Sequence, residues 1–420
     1  VRDRDEVMAD VNIECRSRKV ARSTPHAVVL GVVGFLTLVD LFAAQVLLPA
    51  LAMRYGVSAA AAGIAVNATT FGMAAASLIV ALKARAFGRR TTIGASLALL
   101  AVPTCLLAVA PDLMVFTGLR IVQGILMATA FTLTMAYVSE QLSPQETAGA
   151  LAAYVTGIVA SNLVGRLIAA SAADMLGLNA SFFMFGALNL VGALLVAHSF
   201  GEMRMPTAEP VAMSGLIGEI REAVSTAPLR AAYAIGFLIL FAFIGTFTYV
   251  NVVLVSPPVA ISQMSLGLIY LVFAPSLLTT PLTGRLVARL GSGPVAAMSL
   301  LFAAAGLPLL ASGVLSIILA GMTMMAVGTF MAQAVATGFV AANAPGDRAV
   351  ASGIYLASYY LGGLAGAYML GRVFDGFGWT ACLEGIGACL VMAAVLAAGL
   401  RGGKATRRSV PLTQNMRNSL

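Results

Sequence analysis

One acid and one base stand where hydrocarbon would be expected. Asp40 lies in the middle of FLTLVDLFAAQVLLPAL, and Arg120 lies within a second apolar run, in the segment LRIVQG. A charge at the centre of a bilayer costs about 2.5–3.5 kcal/mol on insertion scales, so such residues are retained for a task. Proton exchange is the task that suits these two types. A nearby guanidinium favours an ionised carboxyl; moving it away, or drying the site, favours the neutral acid. Asp40 is therefore read as the group that exchanges a proton, and Arg120 as the group that tunes it. The competing reading is a buried ion pair that only fixes helix packing. A second guanidinium, Arg166, lies toward the end of another apolar run and reads as a gate or cavity cation, or as a side chain snorkelling to the interface. Glu384 lies only a few residues into the last run and reads as interfacial.

Composition dictates the elements that hold these residues. Of 420 residues, 60% are hydrophobic and 10% charged, and the mean hydropathy is +0.95. A soluble domain needs a polar shell and carries about 25% charge. This chain is a membrane protein, which excludes a cytosolic enzyme, a secreted disulfide domain, a coiled coil and a disordered chain. At roughly 20 apolar residues per transmembrane helix, there is material for about twelve spans. Runs bounded by charge, Pro or Gly fall at 27–54, 59–82, 91–110, 113–139, 148–173, 179–200, 231–255, 260–283, 293–311, 313–340, 349–371 and 379–400. In lipid each must be helical, because no water satisfies the backbone. Continuous apolar runs also disfavour a barrel, whose strands alternate.

Basic residues orient the spans. With the N-terminus inside, twenty-one of the 25 Lys and Arg fall on inner segments, and only Arg54 and Arg372 on outer ones. That is a positive-inside pattern with both termini cytoplasmic. The net charge of +8 is thus topological and predicts no nucleic-acid partner. Counted from the outer face, Asp40 is about 14 residues deep and Arg120 about 8, so at about 1.5 Å per residue their levels differ by roughly 9 Å.

The order of elements divides the chain. Residues 1–25 read as a disordered cytoplasmic tail, 26–200 as a six-helix bundle, 201–230 as a cytoplasmic linker with an amphipathic stretch, 231–400 as a second six-helix bundle and 401–420 as a cytoplasmic tail. The run after Pro25 is too long for the core of a cleaved leader. The two halves echo each other at an offset of 201: Tyr154 with Tyr355, Leu163 with Leu364, Gly165 with Gly366, Asp174 with Asp375 and Gly177 with Gly378. KARAFGRR at 83–90 echoes GRLVARLG at 284–291. Parallel six-span halves mark one transporter architecture.

These motifs resemble the major facilitator superfamily. KARAFGRR is similar to the family loop G-x-L-x-D-R-x-G-R-R, keeping Gly88, Arg89 and Arg90 but with Ala81 for the first Gly and Arg85 for the Asp. Gly284, Leu286 and Gly291 fit the second copy, where Ala288 replaces the Asp. LRIVQG resembles R-x-x-Q-G through Arg120, Gln123 and Gly124. NLVGR (162–166) and YYLGGLAG (359–366) look like the drug:proton antiporter branch, especially its arabinose-efflux-like permeases. The resemblance covers about residues 26–400. It implies an all-α fold of twelve transmembrane helices in two pseudo-symmetric six-helix bundles, with spans one, four, seven and ten around a cavity. That raises Gln45, Gln123, Tyr249, Asn251 and Gln333 as substrate contacts, with helix-to-helix hydrogen bonding the alternative for each; Arg166 of span five joins them as the cavity cation, with snorkelling as its alternative. Gly88, Arg89, Arg90, Gly165, Gly284, Gly291 and Gly366 are assigned to gating.

Other patterns have plainer readings. Phe237, Phe241, Phe243 and Phe247 are expected to face lipid, with lining an apolar pocket the alternative. Met322, Met324, Met325 and Met331 suit ordinary packing or an adaptable surface. Gly157, Ser161 and Gly165, and Gly362, Gly363 and Gly366, present small faces expected to form smooth contacts between the halves. Cys15, Cys105, Cys382 and Cys389 have no metal-ligand spacing, and His26 and His198 sit at run ends, so no metal and no cofactor is expected.

Function follows from these readings. The chain is expected to be a secondary active transporter, a proton-coupled exporter of a small organic compound working by alternating access in a bacterial inner membrane, as a monomer. Its partners would be the substrate, protons and the lipid bilayer. A sugar or small-metabolite permease of the same fold is the alternative, and a non-transporting sensor a remote one. No P-loop supports ATP drive. A membrane enzyme lacks the acid pair, metal cluster or nucleophile–base pair it would need.

Overall fold

A computed structural model describes residues 27–83, 88–141, 144–201, 213–344 and 348–400. Both tails, residues 202–212 of the linker and Arg85 lie outside the described residues. Every element is helical. The first span is α1 (Ala27–Val46) followed by α2 (Leu48–Tyr55), and the second is α3 (Ala59–Asn67) followed by α4 (Thr69–Lys83). Then come α5 (Arg89–Ala108), α6 (Leu113–Gln141), α7 (Pro144–Leu176) and α8 (Leu178–Ser199). A short helix, α9 (Met213–Ala223), precedes α10 (Ala227–Val255), α11 (Gln263–Ile269), a 3₁₀ turn at Tyr270–Phe273 and α12 (Ala274–Leu290). The chain closes with α13 (Ser292–Ala305), α14 (Leu307–Leu310), α15 (Leu315–Asn343) and α16 (Arg348–Ala397).

At 50 residues, α16 would be about 75 Å long, over twice a bilayer core of about 30 Å. Gly378 breaks it, with φ 81° and ψ −174°. It is therefore two spans, which brings the total to twelve. Its repeat partner Gly177, between α7 and α8, has φ 89° and ψ 160°. Side chains with a Cβ rarely adopt either conformation. The same turn thus closes spans five and eleven, and Gly291 repeats it between α12 and α13 at φ 87°.

Packing repeats as well. In the first half α1 lies along α7, and in the second α10 lies along α16. A Cβ on Gly157 would fall 1.8 Å from the Gly31 carbonyl oxygen, and one on Gly362 would fall 2.0 Å from that of Phe237. The backbones touch, and only glycine permits it. Gly165 meets Val39, and Gly366 meets Phe241, in the same two seams. These small faces therefore join helices within each half, not between the halves as expected. The reason is that span one must approach span five closely enough to share its buried polar groups.

The halves meet where α4 lies along α16 and where α7 meets α11 and the 3₁₀ turn. Large apolar side chains stand exposed on α5 (Leu99, Val102, Leu106), α8 (Leu190, Val191, Leu194), α13 (Met298, Leu301, Phe302) and the last span (Val391, Met392, Val395). So continuous an apolar surface belongs in lipid. By contrast α10 is buried along most of its length, and Phe241, Phe243 and Phe247 are inside. The expectation that these rings face lipid is overturned, because span seven is enclosed by its neighbours.

Candidate functional site

Two polar clusters lie inside this apolar frame. In the first, a Cβ on Gly124 of α6 would fall 2.0 Å from the Thr69 carbonyl oxygen, so spans two and four are in backbone contact. That approach carries the Arg120 guanidinium across to span two. Its Nε donates to the Val66 carbonyl at 2.9 Å, beside the break between α3 and α4. Its Nη1 donates to the Asp40 backbone carbonyl at 3.1 Å and to Gln123 Oε1 at 2.8 Å. The roughly 9 Å offset inferred from residue counts is closed by the long side chain. Yet the guanidinium meets the main chain of Asp40 and not its carboxylate. The Asp40 carboxylate instead accepts on Oδ2 from Asn189 Nδ2 at 2.8 Å and from Thr104 Oγ1 at 3.4 Å. Asn189 Nδ2 also reaches Thr104 Oγ1 at 3.1 Å, and Gln123 Nε2 donates to the same Oγ1 at 2.7 Å. A chain of neutral groups, Gln123, Thr104 and Asn189, thus runs from guanidinium to carboxylate. Asp40 Oδ1 accepts no hydrogen bond. Asp40, Thr104, Arg120, Gln123, Phe182 and Phe185 surround a void of about 10 Å³, which is at the margin of holding one water.

The second cluster crosses between the halves. Pro49 has no N–H to give the Gln45 carbonyl. Asn251 Nδ2, from α10, donates to that carbonyl at 2.9 Å. The Gln45 side chain donates to Asn67 Oδ1 at 2.8 Å, and Asn67 donates to Thr248 Oγ1 of α10 at 3.1 Å. Arg166 donates through Nε to Asn162 Oδ1 at 2.9 Å and through Nη2 to Gln45 Oε1. The Tyr270 ring lies 4.0 Å from the guanidinium carbon, with Phe42 and Phe273 at 5.7 Å. The Tyr270 hydroxyl donates to Asn251 Oδ1. Arg166, Gln45, Asn67 and Asn251 are fully buried. Snorkelling is excluded for Arg166, which points inward. Nearer the surface at this end, Asp375 Oδ1 accepts from the Ala60 N–H at 3.3 Å, placing a carboxylate at the start of α3.

A chain folded as two repeated six-helix halves has known relatives. The model of the Major Facilitator Superfamily matches residues 30–275. The chain belongs to that superfamily. It is 24% identical over 350 residues to YybF of Bacillus subtilis (strain 168), an uncharacterized MFS-type transporter, covering 82% of this chain and 86% of that protein. It is 26% identical over 382 residues to the inner membrane transport protein YnfM of Escherichia coli (strain K12), covering 90% of this chain and 91% of YnfM. Its fold is similar to that of a bacterial homologue of the human lysosomal transporter Spinster, in an inward-facing and unoccupied conformation, with TM-score 0.66 and 14% identity over 89% of this chain and 94% of the other. The chain is therefore a multi-pass membrane transporter and not an enzyme.

The remaining predicted residues fall as follows. Asp40, Arg120 and Gln123 share the first cluster; Gln45, Arg166 and Asn251 share the second. Tyr249 stands apart. Its hydroxyl donates to the Ala367 carbonyl, its ring stacks on Phe374, and Gly63 and Gly371 leave room for it. Gln333 is half-buried and belongs to neither network. Arg89 is buried at the start of α5, and Arg90 donates to the Ala197 carbonyl. Gly88 and Gly284 have open space where a Cβ would stand.

Sequence reasoning missed Thr104 and Tyr270. Thr104 follows Pro103, and Tyr270 opens the 3₁₀ turn, but neither type is unusual in a span. The larger cavities among the described residues lie away from the axis where a cavity is expected. One of about 680 Å³ lies between α5 and α8, and one of about 370 Å³ between α13, α14 and the last span, both on lipid-facing helices. On the axis most polar groups of the second cluster bond one another, and Arg166 Nη1 and Asn162 Nδ2 are left without a hydrogen-bond partner. A pocket of about 270 Å³ between α12 and α15, lined by Thr280, Gly284, Gly338 and Asn343, lies toward the Gly291 end.

Proposed function

We propose that this chain is a proton-coupled secondary transporter that exports a small organic compound by alternating access, with Asp40 as the proton carrier. The observation that carries this reading is the unevenly satisfied carboxyl: one oxygen held by Asn189, the other bare, at the end of a polar chain leading to Arg120. A proton on the bare oxygen gives a neutral acid that needs no counter-charge in hydrocarbon. Losing it gives a carboxylate partnered through the chain by a guanidinium that keeps its charge. Movement of Arg120 relative to span one then changes how well the carboxylate is supported. The second cluster supports a closed state at the Gly177 end, because it ties α1, α3 and α7 to α10 and the 3₁₀ turn. Gly165 and Gly366 lie in helix seams, Gly291 at a turn, and Gly88, Arg89 and Arg90 at the start of α5, places that such a motion would use, while Gly284 lies within α12. The positive-inside distribution and the location in the name of the E. coli relative support an inner-membrane protein with both ends cytoplasmic.

The test uses proteoliposomes holding a pH-sensitive dye, challenged with a panel of cationic, neutral and anionic compounds. A transported compound elicits proton movement in wild type that is missing from Asp40→Asn and from protein-free vesicles. Equal proton movement in Asp40→Asn overturns the role of Asp40.

A further inference from the structure

The second cluster has an unbalanced charge. Arg166 is fully buried, and its partners are the amide oxygens of Asn162 and Gln45, the neutral Tyr270 side chain and the faces of aromatic rings. Among the described residues no carboxylate reaches it. Its Nη1 has no hydrogen-bond partner, and neither has the Asn162 Nδ2 one turn away on the same helix. Two buried donors, one of them charged, are thus left open one turn apart on α7. A buried cation with an unspent donor carries a desolvation cost that an anion arriving during the working cycle would relieve. A planar guanidinium edge matches a carboxylate in shape and spacing.

The surroundings restrict the rest of such a ligand. Tyr270, whose ring covers the guanidinium, stacks on Phe273 at 5.7 Å. Phe273 meets Phe330 at 5.8 Å, and Phe330 meets Phe243 at 5.5 Å. These four rings come from the 3₁₀ turn, α15 and α10, so an aromatic wall contributed by the second half starts at a cation contributed by the first. Phe330 is only half-buried, which leaves an accessible edge to that wall.

We infer that Arg166 and Asn162, with the rings of Tyr270, Phe273, Phe330 and Phe243, bind an organic carboxylate with an apolar, ring-sized body. The carboxylate takes the open donors, and the body lies along the wall. This rests on the transporter reading, since the ligand is taken to be the transported compound. It also gives the halves a reason to close, because the ligand's head belongs to one half and its body to the other.

The probes are benzoate, its uncharged amide benzamide, and acetate, added to the purified full-length protein while its thermal transition and its binding heat are measured. Benzoate is expected to raise the transition and to bind at least tenfold more tightly than benzamide or acetate. Arg166→Gln is expected to lose at least tenfold in benzoate affinity, and Arg166→Lys to keep part of it. Because Arg166→Gln can perturb folding, the benzoate–benzamide comparison on wild type stands as an independent measure. Benzamide binding as well as benzoate, undiminished benzoate affinity in a folded Arg166→Gln, or no response to benzoate overturns the anion site. If no carboxylate binds while a neutral or cationic compound drives proton movement, the anion site falls and the transporter reading stands. If benzoate binds as expected but no compound moves protons, the proton-coupled reading falls and the anion site stands.

Discussion

Thr104 is the joint of the first cluster. Its hydroxyl accepts from both Gln123 and Asn189 and donates to the Leu100 carbonyl at 2.7 Å. Thr104→Val keeps the shape and removes the hydroxyl, leaving two buried amide donors short of an acceptor. The expected cost is about 1–3 kcal/mol, read as a lower thermal transition, with slower proton-coupled flux. An unchanged flux would show that the chain from Arg120 to Asp40 is not used. Arg120 illustrates a second point. It spends its donors on the carbonyls of Val66 and Asp40 and on Gln123, a fan that an ammonium cannot reproduce. Arg120→Lys is therefore expected to destabilise the protein by about 1–3 kcal/mol despite conserving charge, measured by the same transition. Asp40 and Arg120 were legible in the sequence because charge inside an apolar run is conspicuous. Thr104 was not, because threonines are scattered through these spans and commonly bond their own helix, as Thr37 and Thr134 do here.

Among the helices, close approach is the organising device. Gly157 and Gly31 bring spans five and one into backbone contact, which sets Arg166 of α7 beside Gln45 of α1. Gly157→Ala places a Cβ 1.8 Å from a carbonyl oxygen, so the seam must open. A loss of about 1–3 kcal/mol is expected, together with impaired assembly of the second cluster. Gly118→Ala on α6 meets nothing within 4 Å and is expected to be neutral or slightly stabilising, by up to about 1 kcal/mol. Comparing the two melting curves separates close packing from general helix propensity. The helices themselves were legible as twelve apolar runs, and the correspondence of the two halves was legible in the offset of 201, since Gly177 and Gly378 take up matching turns. The direction each small face looks was not readable. A stripe of Gly and Ser shows that something comes close, but the partner is chosen by the three-dimensional arrangement. The same gap hid the fate of the span-seven phenylalanines, whose spacing is equally compatible with lipid and with neighbouring helices.

For the whole molecule, the second cluster and the Asp375–Ala60 contact bind the halves at the Gly177 end. If the halves rock, those contacts must break and re-form. Spin labels on Cys introduced at Ala61 and Gly376 are expected to report a short and a long separation whose proportions shift with proton gradient and transported compound. Asp375→Ala is expected to favour the long one. A single fixed separation under all conditions would contradict a rocking mechanism. The central claim, that Asp40 couples protons to transport and does not simply hold helices together, is tested most directly by measuring two fluxes in Asp40→Asn proteoliposomes. One is uphill accumulation under an imposed pH gradient, and the other is exchange of the same compound across the membrane without a gradient. Loss of accumulation with exchange retained is the predicted result, since the binding groups of the second cluster remain intact. Accumulation at the wild-type level would contradict it.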